Sequence, residues 1–320
     1  MGKSTKSLKN ALQSQQTRFK IKQKASHAAQ IAEQKARKLA GGSGGSKAVG
    51  TPSTQKPTIP FQATDTILLI GEGNFSFARA LARPSSSKTE LAHLAHLPPK
   101  NITATAFDSE EDCYAKYPDA EDIVKSLREW GVQVLFGVDA TKLEWIAGLK
   151  GRRWSKIVWN FPHAGKGFDD QDRNILSNQV LILGFLRSAA KFLKQGPVPS
   201  VTGKKKQNVS KKEEEESEQE EMDDIETKTL SRGSILITLR NVAPYTTWDV
   251  PRLAKNPPLN QGSATNPRYI ILRSFVFHRD LWDGYEHRMT KGLRAHGTGK
   301  TGEGGEDRTW EFCLKDEFDE

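Results

Sequence analysis

Two glycines separated by one residue follow the first short apolar run of the chain. The segment Gly71-Glu72-Gly73-Asn74-Phe75-Ser76 comes directly after ILLI at 67–70 and precedes an apolar stretch at helical spacing. A Gly-rich turn between a strand and a helix lets a cofactor approach the backbone closely. Ser76 replaces the third glycine of a dinucleotide fingerprint, which argues against a pyrophosphate packed on the helix start. The alternative is a tight turn that binds nothing.

Acidic residues follow the next two apolar runs. Asp108 comes after ITATAF, and Asp139 lies three residues after VQVLF. An acid at the end of a second strand can accept hydrogen bonds from ribose hydroxyls, and one after a third strand can meet an adenine edge. Asp108 could instead cap a helix that begins with Ser109-Glu110-Glu111. Together with the glycine turn, the two acids predict a site for a nucleoside-bearing cofactor.

A fourth apolar run leads into Asn160-Phe161-Pro162-His163. In a doubly wound sheet the end of this strand lies beside the reactive group of the cofactor, so its polar side chains face the substrate. Asn160 can orient a base edge through its amide, and His163 can accept or relay a proton near neutral pH. The alternative is a Pro-stiffened turn that carries a surface histidine.

The elements that must position these residues alternate between short β-branched runs and longer helical patterns, which indicates a parallel sheet with crossover helices. Two later runs with aromatic residues predict an antiparallel hairpin at the edge of this sheet. The predicted strands are 67–70, 102–107, 132–136, 156–159, 235–239, 269–277 and 309–314, and the predicted helices are 74–82, 110–129 and 171–195.

Charge and composition divide the chain. The first 50 residues hold eleven Lys or Arg and one acid, Glu33. A Gly/Ser linker lies within this segment at 41–46. We predict a disordered basic tail and linker over 1–60, which suits a polyanion such as nucleic acid. Ten acids and six Lys make 203–229 a charged low-complexity insertion. The folded domain is then 61–202 together with 230–320.

Cysteine usage and hydropathy exclude several classes. The two cysteines, Cys113 and Cys313, form no metal-binding or disulfide pattern, so we expect no metal and a reducing compartment. The sequence has no apolar run of about 18 residues, the length that spans a bilayer. We therefore expect a soluble intracellular protein with no membrane partner. Short basic clusters such as 35–38 could direct nuclear import.

The joint pattern of motifs resembles the eukaryotic 25S ribosomal RNA (uridine-N3)-methyltransferase family. The matching stretches are ILLIGEGNFSFARAL (67–81), TAFDSEE (105–111), KYPDAEDIVKSLREWGVQVLFGVDATKL (116–143), IVWNFPHAGKG (157–167) and GYEHRMT (284–290). The resemblance implies a Rossmann-like class I methyltransferase fold, S-adenosyl-L-methionine as methyl donor, and action on pre-60S particles in the nucleolus or nucleus. It implies cofactor contacts at Gly71, Glu72, Gly73, Asn74, Phe75, Asp108 and Asp139, and a catalytic loop formed by Asn160, Phe161, Pro162 and His163.

A uracil acceptor imposes further expectations. Its N3 proton must leave, and pairing hides that edge, so the enzyme must take a single-stranded or extruded base. We expect Phe161 to be the stacking platform, Asn160 the reader of the base edge and His163 the proton acceptor. Tyr285, His287 and Arg288 are expected to contact ribosomal RNA, and we expect a monomer.

Three other functions stay open from the sequence. An NAD-dependent oxidoreductase could use a similar fold, although the glycine pattern and the Asn160–His163 loop are poorly suited to hydride transfer. A catalytically silent RNA-binding assembly factor could keep the fold as a scaffold. A methyltransferase with another RNA or protein substrate is the third.

Overall fold

The computed structural model describes residues 10, 12–15, 17–18, 56–167, 170–199, 231–259, 266–288 and 306–316. The predicted insertion at 203–229 lies outside the described residues, and so does most of the predicted tail at 1–60. The chain divides into two compact units. One comprises Met1–Pro57 and Pro258–Thr265, and the other comprises Thr58–Pro257 and Asn266–Glu320. The second unit contains the sheet.

Seven strands form one sheet. They are β1 (Ile67–Ile70), β2 (Ile102–Thr105), β3 (Gln133–Leu135), β4 (Lys156–Asn160), β5 (Ser234–Arg240), β6 (Tyr269–Val276) and β7 (Asp307–Leu314). Their order across the sheet is β3-β2-β1-β4-β5-β7-β6. The first five strands are parallel to their neighbours. Since parallel strands end at the same edge, the loops after β1, β2, β3 and β4 converge there.

The last two strands form the antiparallel edge. β7 lies between β5 and β6 and pairs antiparallel with both. β6 therefore runs in the direction of β5, and the loop from β6 to β7 starts at the edge where β1 to β5 end. This arrangement confirms the predicted Rossmann-like methyltransferase fold with its edge hairpin.

Helices cover both faces of the sheet. They are α1 (Ser76–Ala82), α2 (Glu110–Lys116), α3 (Ala120–Glu129), α4 (Gln171–Ala189) and α5 (Val250–Lys255). Short 3₁₀ segments occupy Thr89–His96, Pro99–Asn101, Ala140–Trp145, Ala147–Leu149, Ala190–Phe192, Tyr245–Trp248 and Arg279–Leu281. No helix within the described ranges is long and apolar enough to cross a bilayer.

The central strands are mostly apolar because both faces of the sheet are covered. Every residue of β1 and β2 is buried. On one face, Phe77 of α1 packs against Trp282 with ring centroids 5.0 Å apart. On the other, Phe185 of α4 packs against Trp159 of β4 at 4.6 Å. The sheet is thus held rigidly on both sides of the edge that carries the candidate site.

Two predicted helices differ from the structure at their ends. The pattern at 110–129 predicts one helix, but α2 ends at Lys116 and α3 begins at Ala120. Pro118 lies in the interruption and disfavours helical geometry at Tyr117 before it. The helix predicted at 171–195 ends its α-helical part at Ala189 and continues as a 3₁₀ turn to Phe192.

One buried carboxylate connects four strands. Glu311 of β7 is 1% exposed. It accepts hydrogen bonds from Lys156 Nζ of β4 at 2.6 Å, Ser234 Oγ of β5 at 2.6 Å and Arg273 Nε of β6 at 2.6 Å. Desolvation raises the pKa of Glu311, but the attraction of Lys156 and Arg273 outweighs it, so the pKa lies below its ordinary value.

Replacing this carboxylate should destabilise the sheet strongly. Glu311→Ala leaves the partly buried charges of Lys156 and Arg273 without their counterion, so we expect the free energy of unfolding to fall by about 3–5 kcal/mol in urea titrations. Because the folded-state pKa of Glu311 is lowered, its contribution is complete above the unfolded-state pKa and is lost as pH falls through the folded-state value.

The matched control is Glu306→Ala, which removes a more exposed ion pair with Arg308. A change of about 1 kcal/mol or less is expected there. Equal losses for the two variants would contradict the role of Glu311.

Candidate active site

The candidate site lies at the edge where β1 to β4 end. Gly71 follows β1, and its φ of 65° is in the left-handed region that favours glycine. A Cβ on Gly71 would lie 2.8 Å from Trp159 Nε1, and one on Gly73 would lie 3.0 Å from Arg288 Cβ. Gly71 therefore requires a residue without a side chain, and a side chain at Gly73 would fit only if Arg288 moved by a few tenths of an ångström.

Glu72 caps helix α1. Its Oε2 accepts a hydrogen bond from the backbone N–H of Ala78 at 3.2 Å. Burial raises the pKa of the carboxyl to about 7, although the N–H groups of Ala78 and Phe77 oppose the rise. The carboxylate predicted as a cofactor contact is thus held against the start of the helix, where its charge is favoured.

The buried side chains of Asn74 and Phe75 support the glycine loop from the protein interior. Asn74 is 2% exposed, and its amide donates to Asp119 Oδ2 at 2.6 Å and accepts from the N–H of Ser76 at 3.2 Å. Phe75 has a φ of 62° and directly precedes Ser76, which takes the place of the fingerprint's third glycine. Its buried ring packs on Phe136 at 5.3 Å. Because both side chains face the protein, their predicted cofactor contacts are limited to the backbone.

Residues 284–288, which we call the strap, run across this loop. Ser76 Oγ donates to the carbonyl of Glu286 at 3.1 Å and accepts from its N–H at 3.0 Å. Arg288 pairs with Asp119 at 3.0 Å and with Glu286 at 2.7 Å. The strap therefore joins α1 to the turn before α3.

The three residues predicted to contact RNA all belong to the strap. Tyr285 packs between Phe77 at 5.4 Å and Phe277 at 6.1 Å, and burial raises the pKa of its hydroxyl. The ring of His287 lies 4.4 Å from that of Phe161. Arg288 borders Gly73. Their RNA contacts stay predictions, and the structure places them between the glycine loop and the loop after β4.

The strand predicted at 102–107 ends at Thr105, so Asp108 lies in the loop three residues after β2, and it does not cap the following helix. Ser109 does so by accepting the N–H of Asp112 at 3.1 Å. Asp108 accepts a hydrogen bond from Lys116 Nζ at 2.6 Å, and about a quarter of its side chain stays exposed. Its neighbour Phe107 is 70% exposed. The sequence-based prediction did not include Phe107, although an aromatic residue directly before the predicted ribose ligand is visible in the sequence.

The carboxylate of Asp139 stabilises the turn that follows it. Its Oδ1 accepts hydrogen bonds from the N–H of Thr141 at 2.9 Å and from its hydroxyl at 2.7 Å, and Lys142 lies 3.2 Å from Oδ2. Desolvation raises the pKa of Asp139, but the contacts with Thr141 and Lys142 outweigh it and lower the pKa. An adenine contact at this residue stays a prediction.

Asn160, the last residue of β4, has an amide that lacks hydrogen-bond partners. Its Oδ1 and Nδ2 are both buried without a partner among the described residues. Asn160 lines a cavity of about 20 Å³ with Phe77, Phe277, Thr238 and Thr309. A buried polar group without a partner costs about 1–3 kcal/mol, so such groups in folded proteins mark sites that a ligand or water completes.

Phe161 is held on the loop after β4. Its φ of 54° is unusual for a residue with a side chain, and its N–H donates to Thr238 O at 2.8 Å. His287 lies near its ring, and Arg279 Cζ lies 4.6 Å from the ring centroid. Phe277 lies 6.1 Å away, so the ring of Phe161 already has three neighbours, and stacking on a base requires one of them to move. Sequence reasoning missed Arg279, because nothing in its local pattern points to Phe161.

His163 and Pro162 complete the loop. Pro162 is buried and His163 is exposed. His163 Nδ1 accepts the N–H of Gly165 at 2.9 Å, so a neutral ring carries its proton on Nε2. The N–H of Ala164 donates to Asn178 Oδ1 at 2.7 Å, which ties the loop to α4.

These features fit a nucleoside-bearing cofactor. Gly71 leaves no room for a side chain and Gly73 leaves little, a partly exposed carboxylate lies in the loop after β2, and an exposed aromatic ring is next to it. Among the described residues, no group of three or more His, Cys, Asp or Glu could hold a metal ion.

Comparison with known proteins gives a family match over this site. Residues 68–289 match the family model described as rRNA (uridine-N3-)-methyltransferase BTM5-like. The matched region includes the glycine loop, Asp108, Asp139, the loop after β4 and the strap.

Three curated relatives are similar to the chain. A 25S rRNA (uridine(2634)-N(3))-methyltransferase of Saccharomyces cerevisiae is 29% identical over 74% of this chain and 69% of its own length. An uncharacterized protein of Arabidopsis thaliana is 36% identical over 45% of this chain and 65% of its own length. The heavy metal-associated isoprenylated plant protein 41 of the same organism is 25% identical over 73% of this chain, which spans only 35% of that protein.

Removing the hydroxyl that holds the strap should loosen it. Ser76→Ala leaves the N–H and C=O of Glu286 without their partner, at a cost of about 1–3 kcal/mol. We expect hydrogen exchange at the Glu286 amide to become about tenfold faster or more, measured by mass spectrometry of peptides that cover the strap. Ser126→Ala is the control, since Ser126 bonds only within α3. Unchanged exchange in Ser76→Ala would show that other contacts hold the strap.

Proposed function

Since the chain belongs to the rRNA (uridine-N3-)-methyltransferase BTM5-like family, we propose that it transfers a methyl group from S-adenosyl-L-methionine to N3 of a uridine in large-subunit (25S) ribosomal RNA. The observation that carries this proposal is the unpartnered amide of Asn160 at the end of β4. It stands beside a loop and a carboxylate that suit an adenosine-bearing cofactor.

The cofactor would be held by three loops. The backbone at Gly71 and Gly73 would approach it, Asp108 would accept hydrogen bonds from its ribose, and the exposed ring of Phe107 offers a face for its adenine. When bound, the cofactor supplies an activated methyl group, so the protein's task is alignment of the acceptor. Glu72, Asn74 and Phe75 would act by shaping the loop.

The acceptor would be read by Asn160. Uracil presents O2, N3–H and O4 along its pairing edge, and an amide offers both a donor and an acceptor to such an edge. Binding would give the amide the partners that it lacks. Discrimination follows, because a base that fails to pair with a buried amide leaves it unsatisfied.

The role of His163 in proton transfer requires a rearrangement. Since Nδ1 already accepts the N–H of Gly165, a proton can be accepted there only if that hydrogen bond breaks. In the observed geometry the neutral ring is set to donate from Nε2. His163 is therefore better placed to donate to a carbonyl oxygen of the base than to take the N3 proton.

The substrate and the cellular setting follow from the same proposal. The base would be single-stranded or extruded, because pairing hides N3. The basic segment at 1–50 would add salt-dependent contacts to phosphates. We propose that the protein acts as a monomer on pre-60S particles in the nucleolus or nucleus. This setting is supported by the relationship to the yeast 25S rRNA methyltransferase.

The direct test is incubation with labelled S-adenosylmethionine and unmodified large-subunit RNA, followed by nucleoside mass spectrometry. We expect label in 3-methyluridine. Asp108→Ala should weaken cofactor binding in calorimetry by about 10- to 100-fold, since hydrogen bonds to a charged group contribute about 1.5–3 kcal/mol.

Asp112→Ala is the matched control, because Asp112 lies on the exposed first turn of α2. Label in another nucleoside, or in protein alone, would contradict the uridine assignment. Binding of NAD in place of S-adenosylmethionine would contradict the cofactor.

Asn160→Ala should separate function from stability. Because the amide is buried without a partner among the described residues, its removal should not lower the free energy of unfolding and is expected to raise it by up to about 1–3 kcal/mol. Methyl transfer should fall about 10- to 100-fold in kcat/KM with cofactor binding unchanged. Stability is measured by urea titration and transfer with labelled cofactor.

The control for Asn160→Ala is Asn178→Ala, whose amide bonds Ala164 N and Asn174 O. Asn178→Ala should lower stability by about 1–3 kcal/mol. Full methyl transfer by Asn160→Ala would remove Asn160 from the acceptor site.

A further inference from the structure

Two guanidinium groups and one carboxylate lie beside the ring pair of Phe161 and His287. Arg279 Cζ is 4.6 Å from the Phe161 ring centroid, and Arg279 Nε donates to Asp307 Oδ2 at 2.5 Å. Arg240 ends β5 and is paired in register with Asp307. Arg240 and Asp307 are therefore neighbours where β5 ends and β7 begins, and the charge of Arg240 acts on the imidazole of His287.

The local electrostatic field is positive. Burial, together with the charges of Arg279 and Arg240, lowers the pKa of His287 to about 4. His287 is therefore neutral at physiological pH. The imidazole stays unprotonated close to the positive charges of Arg279 and Arg240.

The other charged groups near this position do not reverse its sign. The pKa of Tyr285 is raised mainly by burial, so its hydroxyl is neutral, and it lies within electrostatic reach of Glu72, Arg279 and Asp307. Glu72 is held at the start of α1 with a pKa of about 7. Glu306 beside Asp307 is paired with Arg308 at 2.6 Å. The two arginines are permanently charged. The negative charge near them comes from the carboxylate of Asp307 and the partly ionised carboxyl of Glu72.

This positive position adjoins the acceptor site. Phe161 directly follows Asn160, and its N–H is bonded to Thr238 of β5. The base that Asn160 would read must therefore approach the same loop that Arg279 covers. Arg279 Cζ is 4.6 Å from the ring centroid of Phe161, and a charge within about 4–6 Å strongly affects the ionisation of a neighbouring group.

The chemistry of uracil makes such a field useful. Neutral uracil has no basic lone pair at N3, because that nitrogen carries a proton and is conjugated with two carbonyl groups. Loss of the proton creates an anion whose charge spreads over O2, N3 and O4. Groups aimed at developing charge in a water-excluded site are an effective means of lowering a barrier.

We propose that Arg279 and Arg240 stabilise the N3-deprotonated uracil, so that the proton leaves to solvent and no side-chain base is needed. The N3 electron pair then forms the bond to the methyl carbon, while the carbon–sulfur bond breaks and its electron pair stays on sulfur. This inference rests on the proposed function and assigns the acidity of the substrate to two residues outside the matched glycine and Asn160 loops.

The test compares Arg279→Met with Arg279→Lys on two RNAs. One RNA carries uridine at the modified position, and the other carries 5-fluorouridine, whose N3–H is more acidic. Methyl transfer is followed with labelled cofactor from pH 6 to pH 10 under saturating RNA. We expect Arg279→Met to lose about 10- to 100-fold at neutral pH and its profile to move to higher pH by about one to two pH units.

The defect should shrink at high pH and with 5-fluorouridine, and Arg279→Lys should retain most of the activity. A merely structural role of Arg279 predicts equal losses on both RNAs at every pH, which would overturn the inference. A raised KM for RNA with unchanged kcat would assign the guanidinium to a phosphate and overturn it too. If Arg279→Met does not fold, Arg240→Met is judged by the same comparison.

The outcome for the wild-type protein separates this inference from the proposed function. A wild-type protein that does not label uridine contradicts the proposed function itself. A wild-type protein that labels uridine, together with Arg279 and Arg240 variants that keep its pH profile on both RNAs, contradicts only the role of the two arginines.

Discussion

The reciprocal hydrogen bonds between Ser76 and the backbone of Glu286 are the contact on which the candidate site depends. They join residues 210 positions apart in the chain. One end lies at the start of α1, directly after the glycine loop, and the other lies in the strap. Because the strap continues to His287 and Arg288, this contact sets the position of Phe161 relative to Gly73. The residues on the cofactor side of the site and those on the acceptor side are therefore held in fixed positions relative to each other.

Much of the fold could be predicted from the sequence for a simple reason. β1, β2 and the centre of β4 are buried on both faces, so their residues are mostly apolar, with Thr103 and Thr105 of β2 as buried exceptions, and they stand out between polar loops. The mostly parallel sheet with an antiparallel edge hairpin was predicted and is confirmed. The break between α2 and α3 was missed because amphipathic periodicity continues through it. Pro118 decides the geometry there, and it carries no hydrophobic signal.

The candidate site was harder to predict than the fold, because residue type does not reveal which way a side chain points. Glu72 and Asp139 occur where cofactor ligands are expected, yet both carboxylates accept N–H groups of their own chain. Phe107 directly precedes Asp108 in the sequence, but only the folded chain shows that its ring is exposed. Arg279 carries no local pattern, and only the folded chain places it over Phe161. Asn160 is the opposite case, since its position after β4 predicted a role and its unsatisfied amide supports one.

The antiparallel position of β7 has a consequence for how this protein can change over evolution. The connection from β6 to β7 opens at the reactive edge of the sheet, whereas the connection from α4 to β5 reaches the sheet at the opposite edge, where β5 begins. Lengthening the first connection places new residues beside the acceptor and can alter selectivity. Lengthening the second, where the acidic stretch 213–216 occurs, adds chain at small entropic cost and leaves the chemistry untouched. Growth of the β6–β7 connection can therefore change the substrate, whereas growth of the α4–β5 connection adds chain at the other end of the strands.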